Sequence, residues 1–128
     1  MPHLSIQYSP QLDDSHDMAA LCHALSDAIM ETALFPVAGI RVRAFRAEYE
    51  SVADRHPENA FVAMQMFIGQ GRTLEEQQQA GTHIYAAAEA FFADRLSEPY
   101  FMLSMEIFEN QAAVSWKRNT VHPRLKRA

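Results

Sequence analysis

The residues with chemistry to offer begin at position 2. The chain opens MPHLSIQY, and proline cannot donate to a sheet ladder, so Pro2 suits the head of a strand. It has a second use. Removal of Met1, expected where proline follows the initiator, frees Pro2 as a secondary amine that can exchange a proton near neutral pH. Arginine is the other informative residue type. Arg41 and Arg43 alternate in AGIRVRAF and so share one face of a strand. Arg72 lies in GQGRT, just ahead of a helix whose free amides attract anions. Arg41 and Arg72 each occupy a strand–helix junction, one per half of the chain, and in a two-fold repeat such junctions converge.

Other constellations are weaker. The six histidines, His3, His16, His23, His56, His83 and His122, form no HxH or HExxH pattern, so no metal site is expected. His16 and His23 are seven residues apart and are expected on one face of the first helix. No GxSxG elbow is present to support a serine nucleophile. Cys22 is the single cysteine. It reads as a small buried hydrophobe in a reducing compartment, without an internal disulfide. Phe35 and Tyr49 read as packing residues that are also available to line a pocket.

The elements that must position these residues fall into two similar halves, about 2–50 and 59–109, followed by a C-terminal segment. In the first half HLSIQY alternates, with Leu4, Ile6 and Tyr8 on one face. Met18, Leu21, Cys22, Leu25 and Ile29 follow the spacing of an amphipathic helix, with Asp13 or Asp14 as its cap. FPVAG ends that helix, and IRVRAFRAEYE reads as a long strand. In the second half AFVAMQMFIG is apolar on both faces, as in a doubly covered strand. Thr73 and Glu76 form a capping box that opens a helix to about Leu96. FMLSMEIFE is the last main strand, and AAVSW is expected as a further short one.

A strand, a long helix and a strand make a βαβ crossover with a parallel strand pair. Two such units side by side predict an α+β fold, a single domain over 1–128 with a four-stranded mixed sheet and two helices on one face. The opposite face is then bare, and we expect Met64, Met66, Phe101 and Leu103 on it. An exposed apolar face marks an interaction surface, so a homo-oligomer is expected.

Bulk properties narrow the function. The net charge of −5 argues against a nucleic-acid partner. The basic run in WKRNTVHPRLKRA reads as a solvated terminus. No charged leader with an apolar core precedes the first strand, and no apolar run approaches the ~18 residues of a membrane span. A cytoplasmic protein with no membrane partner is expected.

Three segments in register carry a resemblance. MPH at the start, FPVAGIR in the middle and IGQGRTLEEQQQAG after the third strand resemble the 5-carboxymethyl-2-hydroxymuconate Δ-isomerase family of the tautomerase superfamily. That superfamily also holds 4-oxalocrotonate tautomerase and macrophage migration inhibitory factor. VSWKRNTVH is similar to the family's C-terminal segment. The resemblance implies a homotrimer with helices outside and sheets inside. It implies Pro2 as catalytic base, Arg41 and Arg72 as holders of substrate carboxylates, and a small dicarboxylate substrate. Arg43 matches a family arginine without an assigned role.

The implied reaction shifts a proton along a conjugated dienol to give its keto isomer, in homoprotocatechuate (4-hydroxyphenylacetate) breakdown. One base that accepts and returns a proton is enough, so no cofactor and no metal are expected. Burial and nearby arginines would hold the amine neutral. Two alternatives stay open: another tautomerase-superfamily activity (tautomerase, hydratase or dehalogenase of a small unsaturated acid), or a non-enzymatic ligand-binding trimer.

Overall fold

The computed structural model describes residues 1–126. Alternation in the first strand becomes β1 (His3–Tyr8), whose Leu4, Ile6 and Tyr8 are buried. The helical stripe becomes α1 (Met18–Glu31), burying Met18, Leu21, Leu25, Ala28 and Ile29. Cys22 is half-buried at the edge of that stripe. Asp17, not Asp13 or Asp14, caps the helix by accepting the Ala20 N–H at 3.1 Å. Pro10–Asp14 instead forms a 3₁₀ turn. His16 therefore precedes the helix rather than sharing a face with His23. β2 (Arg41–Arg46) is shorter than expected.

The second half contains β3 (Ala60–Ile68), α2 (Leu74–Phe91), a short α3 (Ala93–Leu96) and β4 (Phe101–Glu109). Both halves of the Thr73–Glu76 capping box are present. The sheet order is β2-β1-β3-β4. Within each half the strand pair is parallel. The halves join through antiparallel β1 and β3, with His3 opposite Phe67 and Tyr8 opposite Val62. This is the four-stranded mixed sheet with two main helices that the repeat predicts.

The helices cover one sheet face. Leu4, Ile6, Val62, Met64, Met66, Ile84, Ala88 and the fully buried Phe92 form the core between the layers. Gly81 lets α2 approach the sheet, since a Cβ there would lie 3.2 Å from Ile107 Cδ1.

Two expectations need correction. Met64 and Met66 are buried beneath the helices, and Phe101 and Leu103 pack against the same core. The uncovered face instead carries Arg41, Arg43 and Phe45 of β2, His3 of β1, Phe61 and Phe67 of β3, and Met102 and Phe108 of β4. Because β3 is apolar on both faces, alternation alone could not say which residues lay inward. AAVSW also forms no strand; Ala112–Val114 is a 3₁₀ turn. The C-terminal run becomes α4 (Val121–Lys126), which packs near the loop before β2. Arg127 and Ala128, the last of the basic run, lie outside the described residues.

Candidate active site at the N-terminus

Arg72 is aimed by its neighbours in sequence. Gly71 has φ +113°, a conformation that glycine adopts without a Cβ penalty. Directly after Arg72, the capping box starts α2. Gln77 Nε2 donates to the Arg72 carbonyl at 3.3 Å and holds the turn. The guanidinium reaches across to the loop after α1, where Nη2 donates to the Leu34 carbonyl at 3.0 Å. Its carbon sits 4.6 Å above the centre of the Phe35 ring, a cation–π contact that fixes its plane. Phe35 thus supports Arg72. Tyr49 packs against nothing comparable and is 93% exposed.

The N-terminus lies alongside. Pro2 is buried at the head of β1, and its carbonyl accepts the Arg41 N–H at 3.2 Å. As conformation, then, this proline does open a strand. A Cβ built on Gly69, just past β3, would lie 3.6 Å from Arg72 Nη1 and 4.0 Å from the Met1 nitrogen. Amine and guanidinium therefore approach the same point. Gly39 is pressed against Met1, and a Cβ there would meet Met1 Cγ at 3.2 Å.

A cleft of about 390 Å³ opens here, lined by Met1, Pro36, Gly39, Arg72, Lys117, Asn119 and His122. The α-amine is held below its ordinary pKa of 8.0, chiefly by burial and then by the charges of Lys117, Arg72 and Arg41. Each of these disfavours an ammonium. Two other clefts lack this combination. One of about 340 Å³ lies on the β2–β3 loop around Glu50 and Asn59. One of about 640 Å³ runs between α2 and β4, with Glu89 and Glu106 as its charged lining.

Arg41 and Arg43 project from the uncovered sheet face. Arg41 is exposed and stands opposite His3 in the register. It does not line the cleft, although its charge reaches the amine. Arg43 Nη2 donates to His3 Nδ1 at 3.1 Å, which requires an unprotonated Nδ1. His3 also stacks on Phe67, with centroids 4.9 Å apart. Burial, then Arg43, Arg41 and the N-terminal amine, lower the His3 pKa.

The fold thus brings the chain's first residues and Arg72 to one cleft and leaves Arg41 at its margin. Reading the sequence passed over Lys117, Asn119, His122 and His3. The signal for the first three was the polar run WKRNTVH, whose last four residues break the flanking basic character. Among the remaining histidines, His16 pairs with Asp94 at 3.1 Å and His83 with Glu31 at 2.8 Å, and His56 stacks on Tyr100. Among the described residues no group of three or more His, Cys, Asp or Glu could hold a metal ion. No helix among them is long and apolar enough to cross a membrane.

The chain as a whole is similar to known proteins. The 5-carboxymethyl-2-hydroxymuconate isomerase family matches residues 2–125. The chain is 32% identical over 126 residues to 5-carboxymethyl-2-hydroxymuconate Delta-isomerase of Escherichia coli, covering 98% of this chain and all of that protein. A crystal structure of a 5-carboxymethyl-2-hydroxymuconate isomerase from Deinococcus radiodurans R1 superposes with a TM-score of 0.90 at 34% identity. That match covers 97% of this chain and 93% of the other. At 16% identity and a TM-score of 0.61, a fused 4-OT symmetric trimer shares the fold over 94% of this chain and 98% of its own. Residues 2–125 take in Pro2, both arginines and the C-terminal segment that lines the cleft, and this enzyme belongs to the 5-carboxymethyl-2-hydroxymuconate isomerase family.

Proposed function

We propose that this isomerase, once Met1 is removed, uses the Pro2 amine to carry a proton along 5-carboxymethyl-2-hydroxymuconate in homoprotocatechuate breakdown. The observation that supports this most is the cationic cleft around the chain's first nitrogen. A free proline amine is more basic than an ordinary α-amine and must be neutral before it can act. The burial and positive charge that lower the Met1 amine would act on Pro2 one residue away. The base takes the proton of the 2-hydroxyl, leaving a dienolate, and returns it to the far end of the conjugated chain. No bond to the protein forms and no electrons are gained or lost, so the step balances without a cofactor.

Arg72 in the cleft, and Arg41 from its margin, would serve this reaction as binders. Each guanidinium can grip a carboxylate with two parallel N–H donors, and positive charge near the developing dienolate stabilises it. The compound has two carboxylates on its muconate chain and a third on the carboxymethyl arm. It is one anion richer than the dicarboxylate class anticipated from the sequence.

We also propose a cytoplasmic homotrimer. The uncovered sheet face exposes Phe45 by 53% and Met102 by 49% and carries a Phe67–Phe108 stack at 5.4 Å. A patch of this kind is normally covered. Sedimentation showing a stable monomer at micromolar concentration would refute the trimer.

The deciding experiment follows the isomerisation of 5-carboxymethyl-2-hydroxymuconate by ultraviolet absorbance, comparing wild type with Pro2→Ala and checking loss of Met1 by intact mass. We expect turnover that collapses in the variant. A wild type free of Met1 yet inactive on this compound overturns the assignment.

A further inference from the structure

The two arginines leave one charge of a triacid unanswered, and the cleft holds a further cation. We propose that Lys117 is a specificity-determining residue whose ammonium takes the carboxymethyl carboxylate of the substrate. This rests on the function proposed above and goes beyond it by assigning the third anionic group.

The placement comes from the C-terminal segment. Lys117 lines the same cleft as Arg72 and the N-terminus, while its neighbours Trp116 and Arg118 do not. Two residues on, Asn119 Nδ2 donates to the Ala38 carbonyl at 2.9 Å, a bond that does not involve Met1. Residue 117 is thereby pinned over the loop that carries Gly39. Its charge, with those of Arg72 and Arg41, acts on the amine at the end of the chain. His122 also lines the cleft, but an imidazole carries no permanent charge with which to hold a carboxylate.

Residue type fits the division of labour. The muconate carboxylates are held at the ends of a planar conjugated chain, which suits the rigid forks of arginine. The carboxymethyl carboxylate hangs on a saturated carbon and has no fixed direction. An ammonium on a flexible stem, with three rotatable donors, can follow it.

The test compares wild type, Lys117→Met and Lys117→Arg, all free of Met1, at a pH on the plateau of each rate profile. It reads KM and kcat for 5-carboxymethyl-2-hydroxymuconate. It also reads competitive inhibition by two saturated acids, the diacid hexanedioate and the triacid 2-(carboxymethyl)hexanedioate. We expect Lys117→Met to raise KM and the triacid inhibition constant about tenfold. The diacid constant should move less than about twofold and kcat less than about threefold, and Lys117→Arg should recover most of the loss. Equal weakening of diacid and triacid, or a fall in kcat with KM unchanged, would overturn the inference. If the methionine variant melts early, Lys117→Gln, which keeps a polar stem and removes the charge, takes its place under the same criteria. Should wild type bind the triacid selectively without turning over 5-carboxymethyl-2-hydroxymuconate, the reaction would be wrong and the assignment of Lys117 would stand.

Discussion

Asn119 and Ala38, 81 residues apart, are joined by a hydrogen bond of 2.9 Å from side-chain amide to main-chain carbonyl. The same Asn119 uses its Oδ1 to accept the N–H groups of Val121 at 2.9 Å and His122 at 3.2 Å. One side chain thus starts α4 and fastens it to the loop before β2. It also lines the cleft around the N-terminus.

Asn119→Ala should therefore loosen the C-terminal segment without unfolding the sheet. It removes a helix cap and a tertiary hydrogen bond, each worth about 1 kcal/mol. Amide exchange should accelerate across residues 117–126 and remain slow in β1 and β3, while KM rises. Unchanged protection in that segment would show that other contacts hold it.

Arg41→Lys and Arg72→Lys should each lower kcat/KM while the oligomer survives. Replacing a forked contact with a single point charge is expected to cost about 2 kcal/mol, or roughly thirtyfold. Arg72→Lys should also lose its hydrogen bond to Leu34 and its seat on Phe35, so it is the more damaging of the two. Steady-state kinetics with sedimentation as a control would check both. Full activity in both variants would remove these residues from the site.

The activity of the processed enzyme should depend on pH through the proline amine. The amine must be deprotonated to act, so kcat/KM rises with pH through its pKa. Burial and cations lower the Met1 amine at this point; acting on Pro2 one residue on, they should place the limb below the range of a free proline amine. Lys117→Met should move the limb to higher pH, because it deletes the foremost of the cationic causes. A limb that stayed fixed would place the base elsewhere.

Stability should fall on mild acidification, partly because of His3. Its folded pKa lies below the ordinary value of 6.5, so in the window beneath 6.5 the unfolded chain binds more protons than the folded one. Stability then rises with pH across that window and is lost as pH falls through it. His3→Gln keeps an acceptor for Arg43 but cannot titrate. Its melting temperature should vary less with pH than that of wild type between about pH 6.5 and 5. Parallel curves would exclude His3 as a contributor.

Much of the fold could be read locally. The 3.6-residue stripe from Met18 to Ile29, the Thr73–Glu76 capping box and the strict alternation of β1 each depend on side chains within a few residues of one another. Short-range periodicity therefore determined the elements, and their repetition determined two parallel pairs in one mixed sheet. The same locality placed Arg72 at a helix start and Pro2 at a strand head.

Tertiary structure decided what periodicity could not. AFVAMQMFIG is apolar on both faces apart from Gln65, so only the packing of α1 and α2 selected Met64 and Met66 as core and left Phe67 uncovered. Asp13 and Asp14 were as suitable as Asp17 for capping, until the 3₁₀ turn at Pro10–Asp14 consumed them. The cleft drew Lys117 and Asn119 from the far end of the chain, and Arg43 met His3 across β1 and β2. These pairings arise when long loops close and specific strands align. Arg43 and His3 lie 40 residues apart and Asn119 and Ala38 81, beyond any spacing rule that a linear reading can apply.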